Sequence, residues 1–275
     1  MRRGARVLLG AAVLGAAATA CTERPPRAGP DILFVATPEA VAVEMLRLAN
    51  VTAADVVYDL GSGDGRLVIA AVRDFGARGV GVEIDASLVQ DSRERATAAG
   101  VADRTRFLWQ DLFATDVAAA TVVTLYLRDD VNLRLRPKLL GELAPGTRVV
   151  SHDFGMGEWQ ADRTQRIRSE SREHRMYLWV IPARVEGTWR WTWPDTGDHV
   201  LELSQRFQEL TGALRTPTGV AAAVGRVSGD AVRVGVTGAP GGRLSLEGQV
   251  AGDVIHGHAR AEGVTRAWSA RRDPR

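Results

Sequence analysis

The sequence contains a single cysteine, Cys21, in 275 residues. One thiol excludes an intrachain disulfide and a cysteine-based zinc cluster. Because Cys21 also lies at the end of an N-terminal segment with the features of a targeting signal, no thiol nucleophile is available to the rest of the chain. Several covalent reaction types are therefore excluded, and we predict no metal site.

The chain lacks an excess of charge of either sign. The formal net charge is +2, and leaving out Arg2, Arg3 and Arg6 of the N-terminal segment leaves 32 basic and 33 acidic side chains. Nucleic-acid-binding domains carry a clear basic excess, because they must neutralise phosphates. We therefore expect no nucleic acid partner.

No apolar run is long enough for a comfortable transmembrane helix. The apolar stretch Val7 to Ala17 follows a basic start and precedes Ala18-Thr-Ala-Cys21, a pattern typical of an export signal. Small residues before a cysteine also resemble a lipoprotein cleavage site, although Ala18 stands where leucine is usual. We predict that residues 1–21 are a signal peptide or a lipoprotein signal and anchor with lipidated Cys21, leaving an uncleaved anchor or a spurious signal as alternatives. The protein would then be exported or membrane-associated. The sequence does not indicate which side of the membrane it occupies.

Residues 22–30 form a Pro-rich linker. Beyond it, short apolar runs alternate with segments of helical periodicity, which is typical of a parallel sheet flanked by helices. The predicted helices are 38–49, 67–75, 86–99 and 131–143, and the predicted strands are 56–60, 79–82, 105–109, 121–127, 147–151 and 176–181. We predict an α/β Rossmann-like domain over residues 31–183, with helices on both faces of the sheet. The hydroxyl of Thr37 is expected to cap the first helix.

The residue pattern changes after Pro182, where the helical periodicity ends. Two segments, 225–234 and 248–257, each place a Gly-Asp turn between strand-like flanks. The period-two stripe Trp189, Trp191 and Trp193 predicts an inward strand face, with a ligand-binding platform as the alternative. We therefore predict a small antiparallel β domain over residues 185–275, built as a meander or partly closed barrel.

The strongest motif is Val56-Val-Tyr-Asp-Leu-Gly-Ser-Gly-Asp-Gly-Arg66, a buried strand that runs into a glycine-rich turn and a helix. A dinucleotide-binding loop would need a third glycine at position 66, and both Asp59 and Asp64 would repel a diphosphate. S-adenosylmethionine has no phosphate and carries a cationic sulfonium and ammonium. The loop therefore favours S-adenosylmethionine, with Asp59, Gly61, Ser62, Gly63 and Gly65 as its cofactor contacts.

Acidic residues follow the next two predicted strands. Glu83 ends the second strand, where a carboxylate accepts both hydroxyls of a ribose, and Asp111 follows the third, within reach of the adenine amino group. Carboxyl ends of adjacent parallel strands meet at one crevice, where open α/β sheets bind ligands. Thr37, before the first helix, is a further candidate cofactor contact.

These motifs resemble class I methyltransferases over about residues 31–182. The stretches 59–65, 81–83, 110–113, 122–127, 130–135 and 148–154 are most similar to non-SET histone-lysine methyltransferases and to the mitochondrial family that modifies the C-subunit of ATP synthase and the adenine nucleotide translocase. The resemblance implies Asp59, Gly61, Glu83 and Asp111 as cofactor contacts and segment 122–127 at the methyl end. The family has an asparagine near the end of segment 122–127, and this sequence has Thr124 and Tyr126 there instead.

Methyl transfer is an in-line displacement, so the protein mainly positions the nucleophile and excludes water. Tyr126, Thr124 and His152 are the candidate catalytic residues, each with packing or a satisfied turn as the alternative. The sequence predicts an S-adenosylmethionine-dependent methyltransferase whose acceptor is a protein lysine or a small molecule. An envelope protein that binds a ligand through its β domain and keeps a vestigial methyltransferase fold is the other hypothesis. The oligomeric state stays open.

Overall fold

The computed structural model describes residues 35–239 and 242–274. The predicted signal, the Cys21 lipidation site and the linker lie outside these ranges. None of the helices within them has both the length and the apolar character needed to cross a bilayer.

The first part of the chain alternates strands and helices as predicted. The helices are α1 (Glu39–Leu48), α2 (Arg66–Phe75), α3 (Ala86–Ala98) and α4 (Asp129–Glu142). The strands are β1 (Val56–Leu60), β2 (Arg78–Glu83), β3 (Thr105–Trp109), β4 (Val122–Leu125), β5 (Arg148–His152), β6 (Arg163–Ser169) and β7 (Arg172–Val180). The first helix starts at Glu39 with Pro38 as N-cap and no side-chain cap bond, so the expectation that Thr37 caps it was wrong.

The seven strands form one sheet in the order β3-β2-β1-β4-β5-β7-β6. Strands β1 to β5 pair in parallel, whereas β7 runs antiparallel to both β5 and β6. The reversal of order between β1 and β4 creates a switch point, and ligands of open α/β sheets bind at the carboxyl ends of the strands there.

Helices cover both faces because successive side chains of the central strands point to opposite sides. Val122 and Val150 pack with α1 and α2 in one buried cluster, while Val123 and Val149 pack with α4 in another. The predicted α/β class with a β-rich C-terminal part is confirmed.

The described residues between 187 and 272 form a closed eight-stranded antiparallel barrel. Its strands are β8 (Gly187–Trp193), β9 (Gly197–Arg206), β10 (Glu209–Thr216), β11 (Gly219–Ser228), β12 (Ala231–Ala239), β13 (Gly242–Ala251), β14 (Val254–Ala261) and β15 (Val264–Arg272). Each strand pairs with the next along the chain, and β15 closes the ring on β8. The two predicted Gly-Asp turns, at Gly229 and Gly252, are two-residue hairpin connections with positive φ at glycine.

The tryptophan stripe of β8 faces the barrel interior. Trp189, Trp191 and Trp193 are all buried, and Trp268 of β15 meets Trp191 edge to face with ring centroids 5.6 Å apart. Aromatic pairs of this kind stabilise the fold beyond the contribution of their buried surface area. The stripe is therefore part of the barrel core, as its period-two spacing predicted.

The barrel packs against the α/β domain through its hairpin turns. Phe207, in the β9–β10 turn, stacks on Trp159 at 5.9 Å between ring centroids and lies under the guanidinium of Arg136 at 5.2 Å. The side-chain amide of Gln208 donates to the Gln160 carbonyl at 2.7 Å. These apolar and polar contacts fix the barrel beside the segment that follows β5.

Candidate active site

A cavity of about 340 Å³ opens at the carboxyl ends of the parallel strands. Following the sheet order, its wall presents Asp111 after β3, Glu83 of β2, Asp59 of β1 and Tyr126 after β4. Neighbouring strands lie about 4.8 Å apart, so this row spans roughly 15 Å. The site is thus a linear groove with its acidic groups at one end and an aromatic hydroxyl at the other.

The glycine-rich turn closes the base of the groove. Gly61, Gly63 and Gly65 all have positive φ, a conformation that strains other residues. A Cβ at Gly65 would come within 2.7 Å of the Phe107 ring, so this glycine also lets α2 start close to the sheet. The buried hydroxyl oxygen of Ser62 has no hydrogen-bond partner among the described atoms.

Glu83 is held in place by backbone amides. Its Oε2 accepts from Gly63 N–H at 2.9 Å, and its Oε1 accepts from Ile84 and Asp85 N–H at 2.8 and 3.0 Å. A carboxylate has about four acceptor sites, so one remains for a ligand hydroxyl. The same side chain therefore links the glycine turn to the end of β2.

Asp59 is buried at the centre of the groove. Burial, together with the neighbouring Glu83 and Asp64 charges, raises the pKa of this carboxyl to about 7, although a hydrogen bond from Thr124 Oγ1 at 2.8 Å acts in the opposite direction. Thr124 is itself fully buried and lies off the cavity wall. Because β4 turns this side chain toward β1, Thr124 contacts Asp59 and does not line the groove, and its catalytic role stays a prediction.

Asp64 differs from Asp59 in being neutralised. Arg66 binds it through two guanidinium nitrogens at 2.7 and 2.9 Å, and Arg95 adds a contact at 2.8 Å. Although burial opposes it, this pairing lowers the pKa of the Asp64 carboxyl. The argument that Asp64 repels a diphosphate therefore fails. Asp59, in β1, is the acid of this motif that has no basic partner among the described residues.

At the Asp111 end of the groove, an aromatic ring and a guanidinium join the acidic side chains. Asp111 Oδ1 accepts from Phe113 N–H at 2.8 Å, which shapes the loop after β3. The guanidinium of Arg134, from α4, lies 4.3 Å above the Phe113 ring. Sequence reasoning missed Phe113 and Arg134, because no sequence pattern indicates which loop or helix side chains line a groove.

At the opposite end, Tyr126 stacks on His152 with ring centroids 3.9 Å apart. His152 is completely buried behind Tyr126 and does not line the cavity. Its Nδ1 lies 3.2 Å from the hydroxyl of Thr37, which does line the cavity. Burial is the main cause that lowers the pKa of His152 to about 4, so this imidazole is neutral at ordinary pH.

His152, Asp153 and His174 bring donor atoms within 4.8 Å of one another, close enough to consider a cation. Arg172 already occupies this cluster, since its guanidinium binds Asp153 and lies 3.2 Å from His174 Nδ1. The donor set is thus organised as a hydrogen-bond network around a permanent positive charge.

The site residues predicted from sequence converge as a group. Asp59, Gly61, Ser62, Glu83 and Asp111 line the cavity together with Thr37 and Tyr126. Gly63 and Gly65 shape the turn beneath it, while Thr124 and His152 lie behind its wall. The roles assigned to these residues stay predictions.

The polar side chains of the groove fit S-adenosylmethionine. Asp59 is a buried acid that no basic side chain of the described residues neutralises, as expected of a group that meets a cationic ligand. Glu83 keeps an acceptor for a ribose, and Ser62, whose hydroxyl has no partner among the described atoms, lines the same groove. A phosphate in this position would face two carboxylates.

Comparison with known proteins agrees with this geometry. The ANTKMT methyltransferase domain matches residues 59–163. A protein-lysine N-methyltransferase of Saccharolobus islandicus is 41% identical over 153 residues, which covers 55% of this chain and 95% of that protein. The mouse lysine N-methyltransferase named for the C-subunit of ATP synthase is 38% identical over 108 residues, and the match covers 39% of this chain and 43% of that protein.

Among solved structures, an RNA methyltransferase from Salinibacter ruber in complex with S-adenosyl-L-homocysteine is 54% identical, with a TM-score of 0.52. The match covers 55% of this chain and 96% of that one. The geometry of the groove and the sequence identity to these relatives lead to the same conclusion. The chain belongs to the family of S-adenosylmethionine-dependent methyltransferases that includes the S. islandicus protein-lysine N-methyltransferase.

Proposed function

We propose that the methyl acceptor is the ε-amino group of a lysine in a protein. The observation that carries this proposal is the make-up of the groove at its Tyr126 end. Apolar side chains (Val35, Ala36, Leu127 and Val131) line that end around the hydroxyls of Thr37 and Tyr126. Apolar walls accommodate the methylene stem of lysine, and the hydroxyls accept hydrogen bonds from its nitrogen.

The relatives support the same acceptor. The S. islandicus relative is named a protein-lysine N-methyltransferase, and the mouse relatives are named for lysines of the ATP synthase C-subunit and the adenine nucleotide translocase. RNA is the second candidate because the S. ruber structure is described as an RNA methyltransferase. The balanced charge of this chain disfavours RNA.

The three acidic residues of the groove hold the cofactor in the proposed reaction. Asp111 and Glu83 hold the adenosine part, and Asp59 pairs with the cofactor ammonium. When bound, S-adenosylmethionine supplies a methyl carbon activated by its positively charged sulfur. The lone pair of the neutral lysine nitrogen forms the new N–C bond while the C–S bond breaks and its electrons stay on sulfur. The protein positions the amine on the line of attack and excludes water.

Methyl transfer to defined acceptors tests the proposal. The purified full chain is incubated with radiolabelled S-adenosylmethionine and, separately, with poly-L-lysine, poly-L-arginine, free lysine and total bacterial RNA. We expect label on poly-L-lysine but not on poly-L-arginine, with methyl-lysine in the hydrolysate. Label confined to RNA, or to free lysine, would replace the protein-lysine assignment with the alternative acceptor.

Glu83 variants test the cofactor role. Glu83→Ala should weaken S-adenosylmethionine binding tenfold or more, because a charge-assisted bond contributes about 1.5 to 3 kcal/mol. Glu83→Gln keeps the shape of the side chain, but its NH2 group faces at least one backbone N–H from which the carboxylate accepts, so its affinity should also fall. Calorimetric affinities equal to wild type in both variants would remove Glu83 from the site.

We also propose that residues 1–21 target the protein to a membrane, with lipid on Cys21. The basic, apolar and small-residue succession before Cys21 supports this. Mass spectrometry of the purified protein should find a diacylglyceryl group on Cys21 that Cys21→Ser abolishes. A reporter fused at the C-terminus then shows which side of the membrane carries the catalytic domain. A water-soluble chain with an intact N-terminus would contradict the targeting role.

A further inference from the structure

The contact with Arg172 selects one arrangement of protons in the hydrogen-bond network behind Tyr126, in which His174 Nε2–H has no partner among the described atoms. Arg172 is always a donor, and its Nη2 lies 3.2 Å from His174 Nδ1, so that nitrogen must accept. His152 Nε2 lies 2.9 Å from the same acceptor and must therefore carry a proton. Asp153 Oδ2, 3.4 Å from His152 Nε2, favours the same assignment.

This assignment determines what His152 does at its other ring nitrogen. A neutral imidazole with hydrogen on Nε2 is an acceptor at Nδ1. The hydroxyl of Thr37, 3.2 Å away, must then donate its only hydrogen to His152. The remaining lone pairs of the Thr37 oxygen are left for the cavity that Thr37 lines.

We propose that His152 is a positioning residue that fixes the Thr37 hydroxyl as an obligatory acceptor for an N–H of the substrate amine. The inference rests on the proposed lysine acceptor and adds a contact that helps to orient its nitrogen. Thr37 touches the substrate, and His152 acts through Thr37. The low pKa of His152 agrees with the neutral form that this role requires.

Successive methylation provides a readout specific to this role. The attacking, neutral form of lysine has two N–H bonds, monomethyl-lysine has one, and dimethyl-lysine has none. An acceptor at Thr37 therefore orients the first two methyl transfers but has nothing to bind in the third. A purely structural role for Thr37 would affect all three transfers alike.

The test compares Thr37→Val, which keeps the shape, with Thr37→Ser, which keeps the hydroxyl. Single-turnover rates are measured on a peptide carrying lysine, monomethyl-lysine or dimethyl-lysine. We expect Thr37→Val to slow the first two transfers about 10- to 100-fold, the range for a misoriented nucleophile, and to leave the third unchanged. Thr37→Ser should stay within a few-fold of wild type.

His152 variants and binding data complete the experiment. His152→Asn offers an oxygen near the Nδ1 position and should retain more activity than His152→Leu, which offers no acceptor. This role places the Thr37 hydroxyl at the substrate and replaces its sequence-based assignment as a cofactor contact, so the affinity of all variants for S-adenosylmethionine should match wild type. Equal slowing of all three transfers, or loss of cofactor affinity in Thr37→Val, would overturn the inference. A wild-type enzyme that methylates no lysine peptide would instead refute the proposed acceptor.

Discussion

The substitution Asp59→Asn separates the contribution of a buried acid to cofactor binding from its effect on stability. The pKa of Asp59 rises from 3.8 to about 7, mainly through burial. At about 1.4 kcal/mol per pH unit, ionising this carboxyl in the free protein costs roughly 4 kcal/mol. Asparagine has nearly the same shape, and its oxygen still accepts the hydrogen bond from Thr124 Oγ1.

The sign of the pH dependence follows from the raised pKa. Asp59 binds a proton in the folded protein at pH values where the unfolded chain has released it, so its favourable contribution is complete below pH 3.8 and is lost as the pH rises through about 7. We therefore expect Asp59→Asn to be more stable than wild type by up to about 4 kcal/mol near pH 8, with a difference that shrinks toward zero near pH 4.

Urea unfolding monitored by circular dichroism across this pH range measures the difference directly. The same variant should lose most of its affinity for S-adenosylmethionine in calorimetry, since a neutral amide cannot pair with the cofactor ammonium. A stability difference that does not change with pH would refute the reasoning, because it would mean that the carboxylate is already compensated when ionised. A more stable variant with intact cofactor binding would remove Asp59 from the ammonium site.

Three further predictions use other parts of the molecule. Binding of S-adenosylmethionine at about pH 6 should release close to one proton from Asp59, and the release should vanish above about pH 8; titrations in buffers of different ionisation enthalpy would refute this if they gave equal heats. Phe207→Ala should lower the free energy of unfolding by about 1 to 3 kcal/mol and expose residues 181–186 to protease, because the ring stacks on Trp159. Phe207→Gly should lower it less, because glycine adopts the positive φ of 55° at this position without strain. Equal losses in the two variants would show that backbone strain at position 207 is unimportant. Gly141→Ala on the exposed face of α4 should stabilise by about 0.5 to 1 kcal/mol in thermal unfolding, since an added Cβ meets nothing within 4 Å; a lower melting temperature would disprove it.

The order of elements and the acidic groove were predictable because each depends on local pattern. The strand before Gly61, the acids at Glu83 and Asp111 and the helices between them follow from buried runs and strand-end polarity. The carboxyl ends of parallel strands meet by topology alone, so sequence position was enough to bring these acids to one edge.

Strand β6 was missed for a physical reason. It is an edge strand of sequence Arg163-Thr-Gln-Arg-Ile-Arg-Ser169, and most of its side chains are exposed or partly exposed, so neither face shows an apolar alternation. Edge strands take polar and charged residues because they gain little from burial and must avoid further pairing. Such a strand is recognised only from its partner, β7.

The network behind Tyr126 lay beyond sequence reasoning for a different reason. His152 and His174 are 22 residues apart and meet only because β7 inserts next to β5 in antiparallel register. Likewise, Thr37 caps nothing and instead reaches 115 residues along the chain to His152. Side-chain partners across a sheet depend on register, which residue types alone do not specify.

Closure of the barrel by β15 makes the whole ring depend on its last strand during synthesis and turnover. The ring closes only through β15, the last strand, which pairs with β8 at Arg271–Arg190 and Arg272–Trp189. Until that strand is made, or after a protease removes it, β8 and β14 present two open edges with unpaired backbone groups, a template for pairing between chains. A ribosome that stalls before Val264, or clipping at that point, would thus convert a self-contained barrel into an aggregation-prone sheet even though the entire methyltransferase domain precedes it.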